Sequence, residues 1–384
     1  MTAEPVIDEA VWGTRAEGVA ALERELSRLR RSMDAHALEQ GMLVTRASVL
    51  NLVVFATRDV HARRAAATVQ ELASRHPSRT IVILADRRVE GVEAQLEMHC
   101  HKPRSEGARE VSYEQILIRA RGDTDDRLAS AVIPLLLPDL PVFLWWTETP
   151  PMDARGFKDL LALADRFIVD SADFSRPEEV LRRLHAIARL GHGRHGVTDF
   201  NWARITPWRD LISQFFDVAM WRPFLDGITG LRIGFVVDAE GREIHPSQAL
   251  LLIGWLASRL GWRAVESLAP AEAGGLLAVL RRPDGERVRM RVRPRYMRGV
   301  EEGKLSGVRI QASAGARRAE FVIKRIEGTP HAATSVTIDG SLAFERLVPV
   351  GRKPGVTELL GEELTIARSD EIYEGALAAL VALA

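Results

Sequence analysis

The chain has a single cysteine, Cys100, in 384 residues. A lone thiol excludes an intramolecular disulfide, leaves little room for a thiol switch, and fits a reducing compartment. Neither sign of charge is in excess, since 52 Lys and Arg balance 52 Asp and Glu. Whole-chain charge therefore argues neither for nucleic acid nor for an acidic substrate. Long apolar runs are also missing: the longest, residues 130–146, carries Asp139 and three prolines, so it is no continuous membrane-spanning helix. The opening residues MTAEPVIDEA hold acids where a signal peptide needs basic residues and an apolar core, so no export and a cytoplasmic location are expected.

Catalytic signatures are absent as well. No G-x-S-x-G elbow, Walker loop or H-E-x-x-H helix occurs. The adjacent pairs Glu301-Glu302 and Glu362-Glu363 point apart on a strand or helix and read as solvated charge. No catalytic residue, metal or cofactor is assigned on this basis, although catalytic groups brought together from distant loops would leave no motif.

What is present suits a globular protein of two domains, with 46% hydrophobic and 27% charged residues. Val19, Leu22, Leu26, Leu29 and Met33 recur at helical spacing and predict an amino-terminal helix packed on its own domain. Alternation follows, with strands at 49–56, 80–85, 92–101, 113–120, 142–146 and 166–170. Helices are expected at 59–75, from about 125, near 157–164 and at 177–190. Helices between strands imply a Rossmann-like α/β domain: a mixed, mostly parallel sheet with helices on both faces and one antiparallel excursion. After an apolar helix at 247–260, turn signals at 283–285, 313–316 and 339–340 predict an α+β region with an antiparallel sheet, closed by a helix at 370–384. The expected organisation is a helical segment over 1–44, the α/β domain over 45–197, a docking and linking segment over 198–230, and the α+β domain over 231–384.

The segment TDFNWARITPWRDLISQFFD, residues 198–217, stands out. Pro207 suits a first helical turn with Thr206 as N-cap, and Leu211, Ile212, Phe215 and Phe216 share one face. Trp202, Arg204, Trp208 and Arg209 fall outside that face and are of the types that dominate protein interfaces, so they are read as partner-binding residues. The strand 142–146 ends in Trp145 and Trp146 on opposite faces, at the carboxyl edge where α/β sheets bind ligands. Core packing is the default for at least one; an aromatic-lined crevice, with His99 nearby, is the alternative. His99 and His101 share a strand face without a third ligand at a recognised spacing, and are read as exposed on a sheet edge or crevice rather than as metal ligands. Gly191 to Gly196 matches G-x-G-x-x-G but follows a helix instead of a strand, so it reads as a C-cap and loop. The strand-to-helix turn Thr57-Arg58-Asp59 supplies no replacement glycine loop.

Arg287, Arg289, Arg291, Arg293 and Arg295 alternate on one strand face, within a stretch from Arg281 to Arg325 that holds 14 basic and 5 acidic residues. Such a stripe repels itself unless something anionic faces it. The alternatives are an outer face balanced by the acidic carboxyl-terminal region, an acidic protein partner and, last, nucleic acid, for which interleaved stacking aromatics are missing.

Four motifs in order, HPSRTIVILAD (76–86), PLLLPDLPVFLWW (134–146), DFNWARITPWRDLISQFFD (199–217) and ALLLIGWLASRLGW (249–262), resemble the glucose-6-phosphate dehydrogenase assembly protein family, OpcA. The resemblance implies a non-catalytic, cytoplasmic partner of glucose-6-phosphate dehydrogenase that promotes its assembly or its active oligomeric state, at the entry to the oxidative pentose phosphate pathway. A small-molecule-binding protein or unrecognised enzyme, using the crevice near Trp145 and Trp146 for a sugar phosphate or nucleotide, is the competing expectation.

Overall fold

Residues 50–56, LNLVVFA, are apolar at all but one position, and a strand so composed is stable only when covered on both faces. In the computed structural model these residues form a strand buried at every position, Leu50–Ala56. The structure describes residues 9–17, part of 21–35, 44–46, 48–86, 91–101, 110–121, 128–174, 176–190, 196–242, 246–272, 274–350, 354–365 and 369–383. The seam residues Val19, Leu22, Leu26, Leu29 and Met33 and the loop 191–195 lie outside the described residues. The chain divides into two compact units: Met1–Val169 with Arg194–Gly196 and Gly355–Arg368, and Asp170–Gly193 with Val197–Pro354 and Ser369–Ala384.

The first unit contains β1 (Glu9–Glu17), β2 (Val44–Arg46), β3 (Leu50–Ala56), α1 (Asp59–Leu72), β4 (Ser78–Asp86), β5 (Gly91–His101) and β6 (Glu110–Arg121). It continues with α2 (Leu128–Val132), β7 (Val142–Trp146), α3 (Arg155–Leu161) and β8 (Arg166–Val169). The sheet runs β1-β5-β6-β4-β3-β7-β8, with β2 beside β6. The pairs from β6 to β8 are parallel; β5 is antiparallel to β6 and to β1. The expected Rossmann-like sheet with its antiparallel excursion is therefore present. Its order steps outward from β3 through β4 to β6 on one side and through β7 to β8 on the other, so the switch point lies between β3 and β7.

Two expectations need correction here. The sequence reads as helical over 1–44, yet Glu9–Glu17 forms a strand along β5. The sheet edge expected as one place for His99 is not where it lies: β5 runs between β1 and β6, with His99 opposite Val11 and Tyr113. A strand of mixed polarity takes its pairing from distant chain, which periodicity does not reveal.

The proline turn before β7 is held by the buried side chain of Asn51. Its amide donates to the Leu137 and Leu140 carbonyls at 3.0 and 3.3 Å and accepts from the Leu137 N–H at 2.8 Å. Asp139 adopts φ 61° in this turn, a conformation that Asp tolerates better than most residues. Helix α8 (Val356–Glu363) returns to this unit and lies on α1, where Thr357 Oγ1 donates to Glu71 at 2.8 Å.

The second unit holds α4 (Pro177–Leu190), α5 (Phe200–Arg204), α6 (Thr206–Asp217), β10 (Ile228–Val237), α7 (Ser247–Arg259) and, at its end, α9 (Glu371–Leu383). Short β9 (Gly196–Asp199) runs directly into α5. Between α7 and α9 come β11 (Arg263–Pro270), β12 (Leu276–Arg281), β13 (Arg287–Tyr296), β14 (Leu305–Ala314), β15 (Arg317–Arg325), β16 (His331–Ile338) and β17 (Ser341–Pro349). The eight-stranded sheet runs β11-β12-β13-β10-β14-β15-β16-β17 and is antiparallel except for the parallel pair β10–β13. That pair departs from the expected antiparallel series, because β10 enters the sheet between strands that follow it in sequence. One sheet face carries the core. Phe321, fully buried on β15, is ringed by Phe215 at 5.4 Å, Phe216 at 5.0 Å, Phe224 at 6.1 Å and Trp221 at 6.4 Å.

Candidate functional site

Three places were singled out by the sequence, and the structure gives each a different character. The first is the segment 199–209. Asp199 ends β9 and caps α5, accepting the Asn201 N–H at 2.9 Å through the same oxygen that accepts the Ser171 N–H at 2.9 Å. The Tyr373 hydroxyl donates to its other oxygen at 3.4 Å. Complete burial, and then the nearby negative Asp170, raise this carboxyl to about 6, against the lowering effect of the Ser171 and Asn201 hydrogen bonds.

Asp170 is itself gripped by Arg204 in a two-pronged contact of 2.6 and 2.7 Å. Trp202 is 4% exposed, donates its indole N–H to Asp370 at 2.8 Å, and carries the Arg209 guanidinium 3.6 Å over its ring. Asp370 in turn caps α9, its other oxygen accepting from Ile372 and Tyr373. Trp208 is 3% exposed.

The reading of these residues as partner-facing is thus corrected. Trp202, Trp208 and the Arg204 head are inside, and Arg209 lies over Trp202, because distant chain covers them: Asp370 and Tyr373 meet Trp202, Asp170 holds Arg204, and Arg325 of β15 lies over Trp208. The N-cap expectation changes too: α6 starts at Thr206 with Ile205 at its cap, and Thr206 Oγ1 accepts from Arg209 at 2.7 Å. The node joins the turn at Asp170–Ser171, α5, α6 and α9 into one frame. Gln248 extends it, donating to Asn201 at 2.8 Å and accepting the Leu305 N–H at 3.1 Å. Asp199, Asn201 and Trp202 are buried and hydrogen-bonded within the chain, so their chemistry is structural.

The second place is the carboxyl edge of β3 and β7. Trp145 and Trp146 are 5% and 2% exposed, and Trp146 stacks on Phe55 with ring centres 3.8 Å apart. Both belong to the core, so the aromatic-lined crevice is not present at these residues. Beyond them a polar cluster fills the switch point. Glu148, following β7, accepts from Thr57 Oγ1, meets Arg58 Nε at 3.1 Å and approaches His61 Nδ1 at 2.9 Å. Arg58 Nη2 lies 2.7 Å from His61 Nε2. A dinucleotide fold needs glycine backbone and free N–H groups at this turn to receive a pyrophosphate. Here Thr57-Arg58 takes the place of the glycines, the Glu148 carboxylate contacts that turn, and Asp59 puts a second acid in the first turn of α1, where an anion would be repelled. The turn Thr57-Arg58-Asp59 is conspicuous in the sequence for its missing glycines, whereas His61 and Glu148 carry no local signal. Among the described residues no group of three or more His, Cys, Asp or Glu is placed to hold a metal ion.

The third place is the arginine stripe. On β13 the alternation holds: Val288, Met290 and Val292 are buried, Arg287, Arg289, Arg293 and Arg295 are exposed, and Arg291 is half-buried. The stripe lies on the face of the sheet opposite the Phe321 core.

These features define a class: a two-unit α/β protein whose Rossmann-like sheet has a filled switch point and whose second sheet presents a charged face. Two family models match the chain, the glucose-6-phosphate dehydrogenase subunit N-terminal domain over residues 69–186 and its C-terminal domain over 195–377. The chain belongs to the OpcA family, which is assigned to glucose-6-phosphate dehydrogenase assembly in the oxidative pentose phosphate pathway. A curated OpcA relative from Synechocystis sp. (strain ATCC 27184 / PCC 6803 / Kazusa), whose name assigns it to the OxPP cycle, is 32% identical over 195 residues, 50% of this chain and 39% of the relative. One from Nostoc punctiforme is 33% identical over 196 residues, 51% of this chain and 40% of the relative. The matched region thus spans well under half the length of these relatives. Among solved structures, levoglucosan dehydrogenase in complex with NADH and L-sorbose aligns over 87% of this chain and 96% of its own, at 13% identity and a TM-score of 0.47.

Proposed function

We propose that this chain is a non-catalytic assembly factor or allosteric activator of glucose-6-phosphate dehydrogenase, acting in the cytoplasm by protein–protein binding. The observation that carries this reading is the match of both OpcA family models, in order, along the chain. The filled switch point supports it from the other side. A Rossmann-like unit whose phosphate turn holds Thr57, Arg58 and Glu148 has the scaffold of a dinucleotide enzyme without its cradle.

The mechanism is a shift of population: a protein that binds the active oligomer of the enzyme more tightly than the inactive one raises the active fraction by that difference in affinity. The node around Asp199 holds the second unit's helices in one frame, so the surfaces offered to a partner are presented rigidly and little ordering entropy is lost on binding.

The test is a titration of glucose-6-phosphate dehydrogenase from the same organism with this protein, following activity and, by light scattering, the mass of the complex. Saturable activation with a rise in mass is expected. Unchanged activity together with unchanged mass would sink the assembly reading.

A further inference from the structure

The sheet of the second unit has a face whose electrostatics are unfavourable to the protein itself. Register sets Arg291 of β13 directly beside Arg232 of β10, and Arg232 directly beside Arg309 of β14. On the other flank Arg281 of β12 sits opposite Arg287. Side chains paired this way stand about 5 Å apart at their roots, and like charges so placed repel. Arg309 is relieved by Glu320 at 2.8 Å. Arg232, Arg289, Arg291 and Arg293 make no ion pair and no side-chain hydrogen bond among the described residues, and Nε of Arg291 is buried without a hydrogen-bond partner. Gly230 and Gly234 flank Arg232 along β10, and the space over them is taken by the uncharged side chains of Gln311 and Ser306, so no acid stands there to offset the guanidiniums.

An exposed antiparallel face ordinarily mixes signs or pairs them. The stretch Arg281 to Arg325, which supplies all of this face's arginines but Arg232, has an excess of nine positive charges (14 basic minus 5 acidic) within a chain of zero net charge. We propose that the face formed by β12, β13, β10 and β14 is a docking surface for an acidic protein surface. The proposal rests on the assembly reading and names the part of this chain that meets the dehydrogenase. Charge selects the occupant. A second copy of this chain would bring an equally basic sheet against it, which repulsion opposes. Single-stranded nucleic acid would need stacking aromatics among the arginines, and Tyr296, 55% exposed at the end of β13, is the one that borders them. An acidic protein face satisfies unpaired guanidiniums with bidentate carboxylate contacts, the geometry that arginine favours over lysine.

The experiment uses the full chain, the Arg232→Glu variant and the Arg289→Glu variant, each measured for affinity to the dehydrogenase across a salt series and for Tm. Arg232→Glu places a carboxylate between Arg291 and Arg309. The expected result is a Tm equal to or above that of the wild type, together with binding at least about tenfold weaker and less dependent on salt. A residue kept for stability alone would not separate the two readouts in this way. Arg289→Glu, exposed and opposite Val279 and Gly230, guards against misfolding of the first variant. Wild-type binding with undiminished binding by folded Arg289→Glu overturns the docking face and leaves the assembly function standing. Failure of the wild type to bind overturns both. Capture of a single-stranded DNA probe by the wild type, lost in Arg289→Glu, with the dehydrogenase bound equally by all three, reassigns the face to nucleic acid and also overturns the proposal.

Discussion

Burial of Asp199 makes the second unit sensitive to pH in a definite direction. Its folded carboxyl stands at about 6, against about 3.9 for an aspartate in an unfolded chain. The folded state therefore holds a proton that the unfolded state has released between those values, and its stability falls as pH rises from about 4 to about 6. Above that window the cost is complete, about 3 kcal/mol at most. Asp199→Asn keeps an oxygen for the Ser171 and Asn201 amides and removes the titration. Denaturant melts of the two proteins are expected to draw apart in favour of the variant as pH rises from 4 to 6; a constant difference would show that Asp199 does not titrate there. The same residues show what sequence reveals at this scale. Trp202 and Arg204 were conspicuous as types, but their burial depends on Asp370, 168 positions away from Trp202, and on Asp170, 34 positions from Arg204. Residue type reported that these side chains bind something strongly; only the fold reports that the partner is the same chain.

Elements follow a similar division. The strand Val142–Trp146 and the helix Pro177–Leu190 form over the residues expected, because a continuous apolar run and a 3.6-residue period are local signals. Strand β1 and the parallel pair β10–β13 were not legible, since each depends on which distant strand supplies its hydrogen bonds. Alternation along β13 gave the arginine face correctly, while the neighbouring Arg232 that makes the face self-repelling came only with the register. The packing of α7 on α9 offers a further test. A Cβ at Gly254 would stand 2.3 Å from the Ala376 carbonyl oxygen, so the two helices approach by backbone. Gly254→Ala is expected to force them apart and to cost about 1–3 kcal/mol in spite of the better helix propensity of alanine, read as a lowered denaturation midpoint. An unchanged or raised midpoint would show that the contact relaxes freely.

For the whole molecule, the first unit's order around β3 and β7 predicts a ligand site, and the residues at that site argue against a dinucleotide. Wild-type protein with NAD or NADP at millimolar concentration is expected to show no rise in Tm, since a ligand stabilises only in proportion to its binding. A shift of several degrees would return the Rossmann-like unit to the cofactor binders. The division into units carries a last consequence, for synthesis. Residues Gly355–Arg368 belong to the first unit and Ser369–Ala384 to the second. Helix α8 covers α1, and α9 brings the fully buried Tyr373, Leu377 and Leu383 to α7. At about 5–20 residues per second a ribosome emits the Rossmann-like sheet well before either cover exists. Neither unit reaches its final state until residues 355–384 have been made, so two apolar faces stay open at once up to that point, an interval in which chaperones have the most to protect.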